Sequence, residues 1–153
     1  MDINAKLQQD LVTALKAKDK ITVDALRGIK SVLQEADIAY RASAEGPLDD
    51  SLSQERIFAI FKKQIKQRKD SAAEYRAANR PDLAEPEEAQ AEVLSAYLPQ
   101  QLTGQALRDR IQGIVANSAV KEFGPLMGVV MKEVGAEADG VEVKQVLTEV
   151  LQA

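Results

Sequence analysis

The stretch that decides the fold class is Gln54–Asn79, QERIFAIFKKQIKQRKDSAAEYRAAN. Apolar side chains recur along it at helical spacing, which puts them on one face of a helix. This apolar stripe consists of Ile57, Phe61, Ile65, Ala72 and Tyr75. Ser53 stands just before the stretch and can cap a helix N-terminus. We therefore expect one long amphipathic helix, with Pro81 marking its end.

The segments before and after this stretch also have a helical pattern. Asp2 can cap a first helix, and a second one precedes the break at Gly46–Pro47. Their apolar faces are Ile3, Leu7, Leu11 and Leu15, then Leu26, Ile29, Leu33, Ala36 and Tyr40. A shorter fourth helix ends near Leu98, and it begins either with a capping box at Asp82 or at Pro86. Four helices with short connections favour an antiparallel bundle.

The segment Leu98–Thr103, LPQQLT, interrupts this pattern, because Pro99 stops one helix and Thr103 can cap the next. Beyond it we expect three short helices at about 104–116, 125–134 and 140–151, with Asp139 and Glu142 as a capping box for the last. No segment alternates long enough to predict a strand. The expected fold is all-α: an N-terminal helical lobe (1–98), a linker (99–103) and a C-terminal three-helix lobe (104–153).

The composition excludes several classes of chemistry. The 153 residues include neither Cys nor His, which rules out disulfides, thiol nucleophiles and Ser-His catalysis and makes a zinc site improbable. We therefore expect no catalytic residues, no cofactor and no metal. The N-terminus lacks a basic start followed by an apolar core, and no apolar run is long enough for a membrane span. A cytoplasmic location without membrane contact is the resulting expectation.

The charges are distributed unevenly along a chain whose net charge is −4. Residues 56–80 hold eight Lys or Arg against two acids, whereas residues 81–101 hold five acids and no base. With about 100° per helical residue, five cations fall within roughly 80° of arc along about 27 Å of helix. These five, called the basic band below, are Lys62, Lys66, Lys69, Arg76 and Arg80.

Two interpretations of the basic band stay open. Regularly spaced cations can bind nucleic-acid phosphates and displace condensed counterions. Alternatively, the band is a solvated face that pairs with the acidic fourth helix. Arg68 points towards the apolar side, so we expect it to pair with Glu88 or Glu92. The acids of Glu85–Glu88, EPEE, suit a solvated helix start better than a metal site.

The segment Gly124–Leu151 contains Gly124, a Met127-Gly128 pair, Met131 and the triplet Ala138-Asp139-Gly140. Gly128 is expected to permit close helix packing, and Gly135 to end a helix. In order and spacing these residues resemble the YqeY-like family. Three further segments share the resemblance, which thus extends over essentially the whole chain: LRGIKSVLQEADI (26–38), IKQRKDSAAEYRAANRPDL (65–83) and EEAQAEVLSAYLPQQLT (87–103).

The resemblance implies a fold and a function. The same fold forms the tail of the B subunit of the tRNA-dependent amidotransferase, a helical lobe joined to a small three-helix lobe. That tail is understood to contact tRNA, while amide-ligase chemistry belongs to other domains. The implied role is a non-catalytic tRNA-binding or tRNA-metabolism accessory domain, with tRNA or a tRNA-handling enzyme as partner. The alternative is a protein–protein interaction module without RNA contact.

One departure from the family pattern concerns the small lobe. Relatives often read KGRADG before the final helix, whereas this chain reads GAEADG at Gly135–Gly140 and lacks both cations. RNA contact would therefore fall to the basic band, with Arg27 and Lys30 as further candidates.

Overall fold

The structure, a computed structural model, describes residues 2–43 and 52–153, and this part of the chain contains helices and no strand. The helices are α1 (Ile3–Ala17), α2 (Lys20–Ala42), α3 (Gln54–Ala77), α4 (Pro81–Ser95), α5 (Gly104–Asn117), α6 (Phe123–Val134) and α7 (Gly140–Gln152). The predicted all-α fold is confirmed. The predicted break at Gly46–Pro47 lies outside the described residues. Two compact units, divided between Tyr97 and Leu98, are called unit one and unit two.

Helices α1 and α2 form a hairpin with a tight connection. Lys18 adopts a left-handed conformation (φ 56°) after α1, and its N–H donates to the Leu15 carbonyl at 3.2 Å. The Asp19 N–H donates to the Ala14 carbonyl at 3.0 Å, which completes a Schellman motif. The Asp19 carboxylate then accepts from the Thr22 N–H and caps α2. One short turn thus ends the first helix and begins the second.

The long helix ends within two residues of its predicted end, but a left-handed turn and not Pro81 ends it. The Ser53 hydroxyl caps α3 by accepting from the Arg56 N–H, as expected, and α3 ends at Ala77. Asn79 is left-handed (φ 57°), and the Arg80 N–H donates to the Tyr75 carbonyl at 2.8 Å in a second Schellman motif.

Helix α4 starts directly after this turn, with Pro81 as its first residue. Arg80 precedes it without a side-chain capping bond, so neither predicted start is correct. Pro86 lies inside the helix, where it supplies no backbone N–H.

The core of unit one is aliphatic, with the fully buried Phe61 as its largest side chain. Helix α3 packs most extensively against α4, and α2 contacts α1, α3 and α4. The buried residues are Leu7, Leu11, Ala14, Val23, Ala25, Leu26, Ile29, Leu33, Ile57, Phe61, Ile65, Ala72, Ala84, Ala91 and Leu94. Leu15, predicted on the buried face of α1, is 46% exposed. Ala14 takes the inward position, because the stripe drifts along the helix.

Tyr97 ties the end of unit one to α1. Its ring lies 5.5 Å from that of Phe61, centroid to centroid, and its hydroxyl donates to the Asp10 carboxylate. The Lys6 ammonium lies 4.5 Å above the same ring and also pairs with Asp10. The pKa of Tyr97 is raised, by burial first and by the bond to Asp10 second. The same bond, together with Lys6, lowers the pKa of Asp10.

In unit two, residues of the Ala138-Asp139-Gly140 triplet serve in packing and helix capping. Ala138 is fully buried in a core shared by α5, α6 and α7. The Asp139 carboxylate caps α7 by accepting from Val141 and Glu142 N–H groups, while the Glu142 carboxylate accepts from the Gly104 N–H instead of closing a capping box. The remaining buried side chains are Leu107, Ile111, Ile114, Leu126, Val130, Val134, Val143, Val146 and Leu147.

The two glycines of unit two behave differently from each other. A Cβ at Gly128 would meet nothing within 4 Å, so the predicted close packing at this position was wrong. Gly135 does end α6, as expected, but with right-handed φ −60°. A Cβ there would collide with the Met131 carbonyl oxygen, so the position requires glycine.

Candidate nucleic-acid interface on helix α3

Four of the five basic-band cations lie on α3. Lys66, Lys69 and Arg76 are exposed, and Lys62 is half-buried. Arg80 leaves the band, because the chain turns at Asn79 before reaching it. The predicted ridge is therefore a real surface of α3, but it is about one turn shorter than the sequence pattern indicated.

Arg76 is held by an acid from α4. Its Nε and Nη2 donate to the two carboxylate oxygens of Glu88 at 2.5 and 2.7 Å. This paired geometry is the one that a guanidinium adopts on a phosphate. The bond raises the pKa of Arg76 and lowers that of Glu88. Glu88 thus occupies the donors that a phosphate would use.

Two further cations of the predicted set also have acidic partners. Arg80 donates through Nε and Nη2 to Asp82 at 3.0 and 2.9 Å, which lowers the pKa of Asp82. Lys66 pairs with Asp70 one turn along α3 at 3.1 Å, with both side chains more than 60% exposed. Exposed pairs of this kind contribute about 0–1 kcal/mol and exchange readily with other ions.

Arg68 does turn inward, but its predicted partner was wrong. Its Nε donates to Gln90 of α4 at 3.2 Å, and its Nη1 donates to the backbone and side-chain oxygens of Gln64. Glu88, the expected partner, is bonded to Arg76 instead. The helical angle predicted which face Arg68 occupies, but helical spacing carries no information on which α4 side chain lies opposite.

The two candidates on α2 lie in different surroundings. Lys30 donates to Gln8 of α1 and lines a groove of about 290 Å³ that also includes Asp37 and Arg41. Arg27 is exposed and directly precedes Gly28, the α2 residue that approaches Arg68. Lys30 therefore faces the α1 side of unit one, and Arg27 is the α2 cation next in sequence to the α2–α3 contact.

Acid clusters offer no alternative site. No group of three or more Asp or Glu within residues 2–43 and 52–153 is arranged to hold a metal ion. Across the same residues, no helix is both long and apolar enough to cross a membrane. Glu88, in the predicted EPEE cluster, is instead a partner of α3.

The fold and its charges define a class: an all-α protein of two helical units, in which α3 carries more Lys and Arg than any other described helix. The chain belongs to the YqeY-like family, whose model, described as Yqey-like protein, matches residues 4–151. The resemblance seen in the sequence is thereby confirmed.

Several relatives have a mitochondrial name. The Lachancea thermotolerans protein named "Altered inheritance of mitochondria protein 41, mitochondrial" is 35% identical over 100 residues, which are 65% of this chain and 50% of that protein. The Pyrenophora tritici-repentis protein of the same name is 28% identical over 155 residues, 97% of this chain and 80% of that protein. An uncharacterized Schizosaccharomyces pombe protein is 31% identical over 99 residues, 65% of this chain and 74% of that protein. The chain spans about half the length of several curated relatives it matches.

These names contradict the expected cytoplasmic location, since the relatives are named as mitochondrial proteins. The expectation rested on the lack of a secretory signal and of an apolar span. Both features report on secretion and membrane insertion, and neither separates one soluble compartment from another.

Proposed function

We propose that unit one binds tRNA through the phosphates of its backbone, as an accessory domain without chemistry of its own. The observation that carries this proposal is the placement of Lys62, Lys66, Lys69 and Arg76 along one uninterrupted helix, α3. Four cations at regular spacing suit contact by shape and charge rather than by base sequence. The absence of Cys and His from the sequence supports a non-catalytic role.

The acid partners of the band set the strength of such binding. Asp70 and Glu88 compete with phosphates for Lys66 and Arg76. Because these pairs are exposed, a polyanion can replace the carboxylates at modest cost. We therefore expect moderate affinity with a clear dependence on salt.

The test is a fluorescence anisotropy titration with bulk tRNA at about 50 and 200 mM salt. The variant Lys62→Glu with Lys66→Glu reverses two charges on α3, and we expect it to abolish measurable binding. The matched control, Lys132→Glu with Lys144→Glu, makes the same charge change at two exposed positions of unit two. Equal loss of binding in both double variants would contradict a site on α3.

A second candidate function is a protein-interaction module. Unit two favours it with three exposed apolar side chains, Val120, Phe123 and Val141, the last 77% exposed. A pull-down from nuclease-treated lysate separates the two functions. A specific protein retained by the full chain, and lost in Phe123→Ser, supports the interaction module.

A further inference from the structure

Arg68 is a half-buried cation without an acidic partner. All three of its acceptors, the Gln64 backbone oxygen, the Gln64 side chain and the Gln90 side chain, are neutral. No carboxylate in the described part of the chain pairs with it. The two arginines predicted for the basic band, Arg76 and Arg80, are by contrast each bonded to an acid. Partial burial of a charge is unfavourable unless an opposite charge compensates it, so this guanidinium can gain from an anion.

The hydrogen bonds of Arg68 leave a defined set of donors unused. A guanidinium has five N–H donors, and the bonds from Nε and Nη1 account for three of them. The two donors of Nη2 have no acceptor among the described residues. Because Gln64 and Gln90 fix the plane of the group, the direction of these two donors is also fixed.

Gly28 of α2 makes room for this arrangement. A Cβ at that position would lie 3.2 Å from Arg68 Nη2, closer than ordinary packing allows. Glycine therefore lets the guanidinium lie against α2. Two exposed cations stand next in sequence to the contact, Arg27 before Gly28 and Lys69 after Arg68, and neither forms an ion pair within the described residues.

We propose that Arg68 Nη2, held beside Gly28, binds a phosphate group, with Arg27 and Lys69 adding positive charge around it. The proposal depends on the proposed function only for RNA as the source of that phosphate. In this proposal the strongest single contact with phosphate lies where α2 meets α3, and not on the basic band. Arginine suits this role, because its planar fork binds phosphate in a fixed orientation.

The first arm of the test measures tRNA affinity for Arg68→Gln. Loss of one charge-assisted contact should weaken binding by about tenfold. It should also make the slope of affinity against salt shallower by about one unit. The matched control is Lys63→Gln, which removes one exposed charge from the same helix and should weaken binding by less than about threefold. Equal effects of the two variants would overturn the proposal and leave the proposed function standing.

The second arm uses Gly28→Ala, which separates binding from folding. The added methyl group must push Arg68 Nη2 aside, while alanine favours a helix more than glycine does. We expect weaker tRNA binding together with an unchanged or higher unfolding temperature. If Arg68 had only a structural role, tRNA affinity would fall only together with the stability of the fold. Unchanged affinity in Gly28→Ala would therefore contradict the site.

The third arm replaces RNA by inorganic pyrophosphate and follows the Arg68 Nε resonance by NMR. A saturable shift that is smaller in Gly28→Ala supports the phosphate site. If tRNA does not bind but this shift is seen, only the proposed function fails. If tRNA does not bind and pyrophosphate leaves the resonance unchanged, both are overturned.

Discussion

The two units of this chain use their residues in opposite ways. In unit two, the residues most typical of the family serve the fold: Ala138 fills the core, Asp139 caps α7, and Gly135 avoids a collision with a backbone oxygen. In unit one, the segments typical of the family place polar and charged side chains on facing helices, where Arg76 meets Glu88 and Arg68 meets the neutral Gln90. The most recognisable family motif is therefore explained by packing and capping, whereas the proposed binding site depends on which side chain partners each cation.

The largest expected effect comes from the core of unit one. Phe61 is fully buried and contacts Tyr97, so Phe61→Ala should cost about 3–5 kcal/mol of stability. Hydrogen exchange should show the loss of protection mainly in α1–α4, since unit two has its own core. Equal loss of protection in α5–α7 would show that the two cores do not behave as separate units.

The next effect tests the structural role of the motif in unit two. Gly135→Ala should cost about 1–3 kcal/mol, because the methyl group collides with a backbone oxygen that cannot move aside. The control Gly128→Ala should be neutral or stabilising by up to about 1 kcal/mol, because its methyl group points into open space on a helix. Urea unfolding of both variants checks the contrast. Similar effects at the two glycines would remove the distinction.

The bond between Tyr97 and Asp10 gives a smaller effect with a defined pH dependence. Tyr97→Phe should cost about 1 kcal/mol near neutral pH. The folded-state pKa of Asp10 lies below its usual value of 3.8, so its contribution is present above that pH and is lost as pH falls through the folded pKa. The stability difference between wild type and Tyr97→Phe, measured by urea unfolding, should therefore be constant from about pH 5 to 8 and shrink below 3.8. A difference that persists unchanged at acid pH would mean that the carboxylate is not involved.

The smallest effect tests whether the acidic partner of Arg76 limits the binding of tRNA. Glu88→Gln should raise tRNA affinity by about threefold, because it releases the Arg76 fork for a phosphate. Glu92→Gln changes the net charge equally, at an exposed position of the same helix, and should have a weaker effect. Anisotropy titrations of the two variants side by side measure the difference. Identical gains would mean that only net charge matters.

Much of the fold was predictable from the sequence, because the signals that set the ends of a helix lie in residues close together along the chain. The three helices of unit two lie within three residues of their predicted bounds, because apolar periodicity and capping residues are written in neighbouring positions. The exposure of Leu15 and the end of α3 were harder to predict. Leu15 fits the spacing but lies at the edge of a drifting stripe, and the end of α3 depends on a left-handed Asn79 that no periodicity indicates.

The candidate site was predictable only in part, because partnering depends on tertiary structure. The sequence pattern predicts which cations share a face of α3. It does not predict that Glu88 reaches Arg76 and leaves Arg68 to two glutamines, since that depends on how α4 lies against α3. Gly28 was the one available signal, because a glycine within a predicted helix suggests a close contact, and the structure shows that contact to be with Arg68.

A titration of the full chain with tRNA at several salt concentrations tests whether α3 binds phosphates. Four phosphate contacts predict a slope of log affinity against log salt of about −3 or steeper, lost in Lys62→Glu with Lys66→Glu and kept in Lys132→Glu with Lys144→Glu. A slope near zero, or one that the α3 charge reversals leave unchanged, would show that α3 is not the surface that binds tRNA.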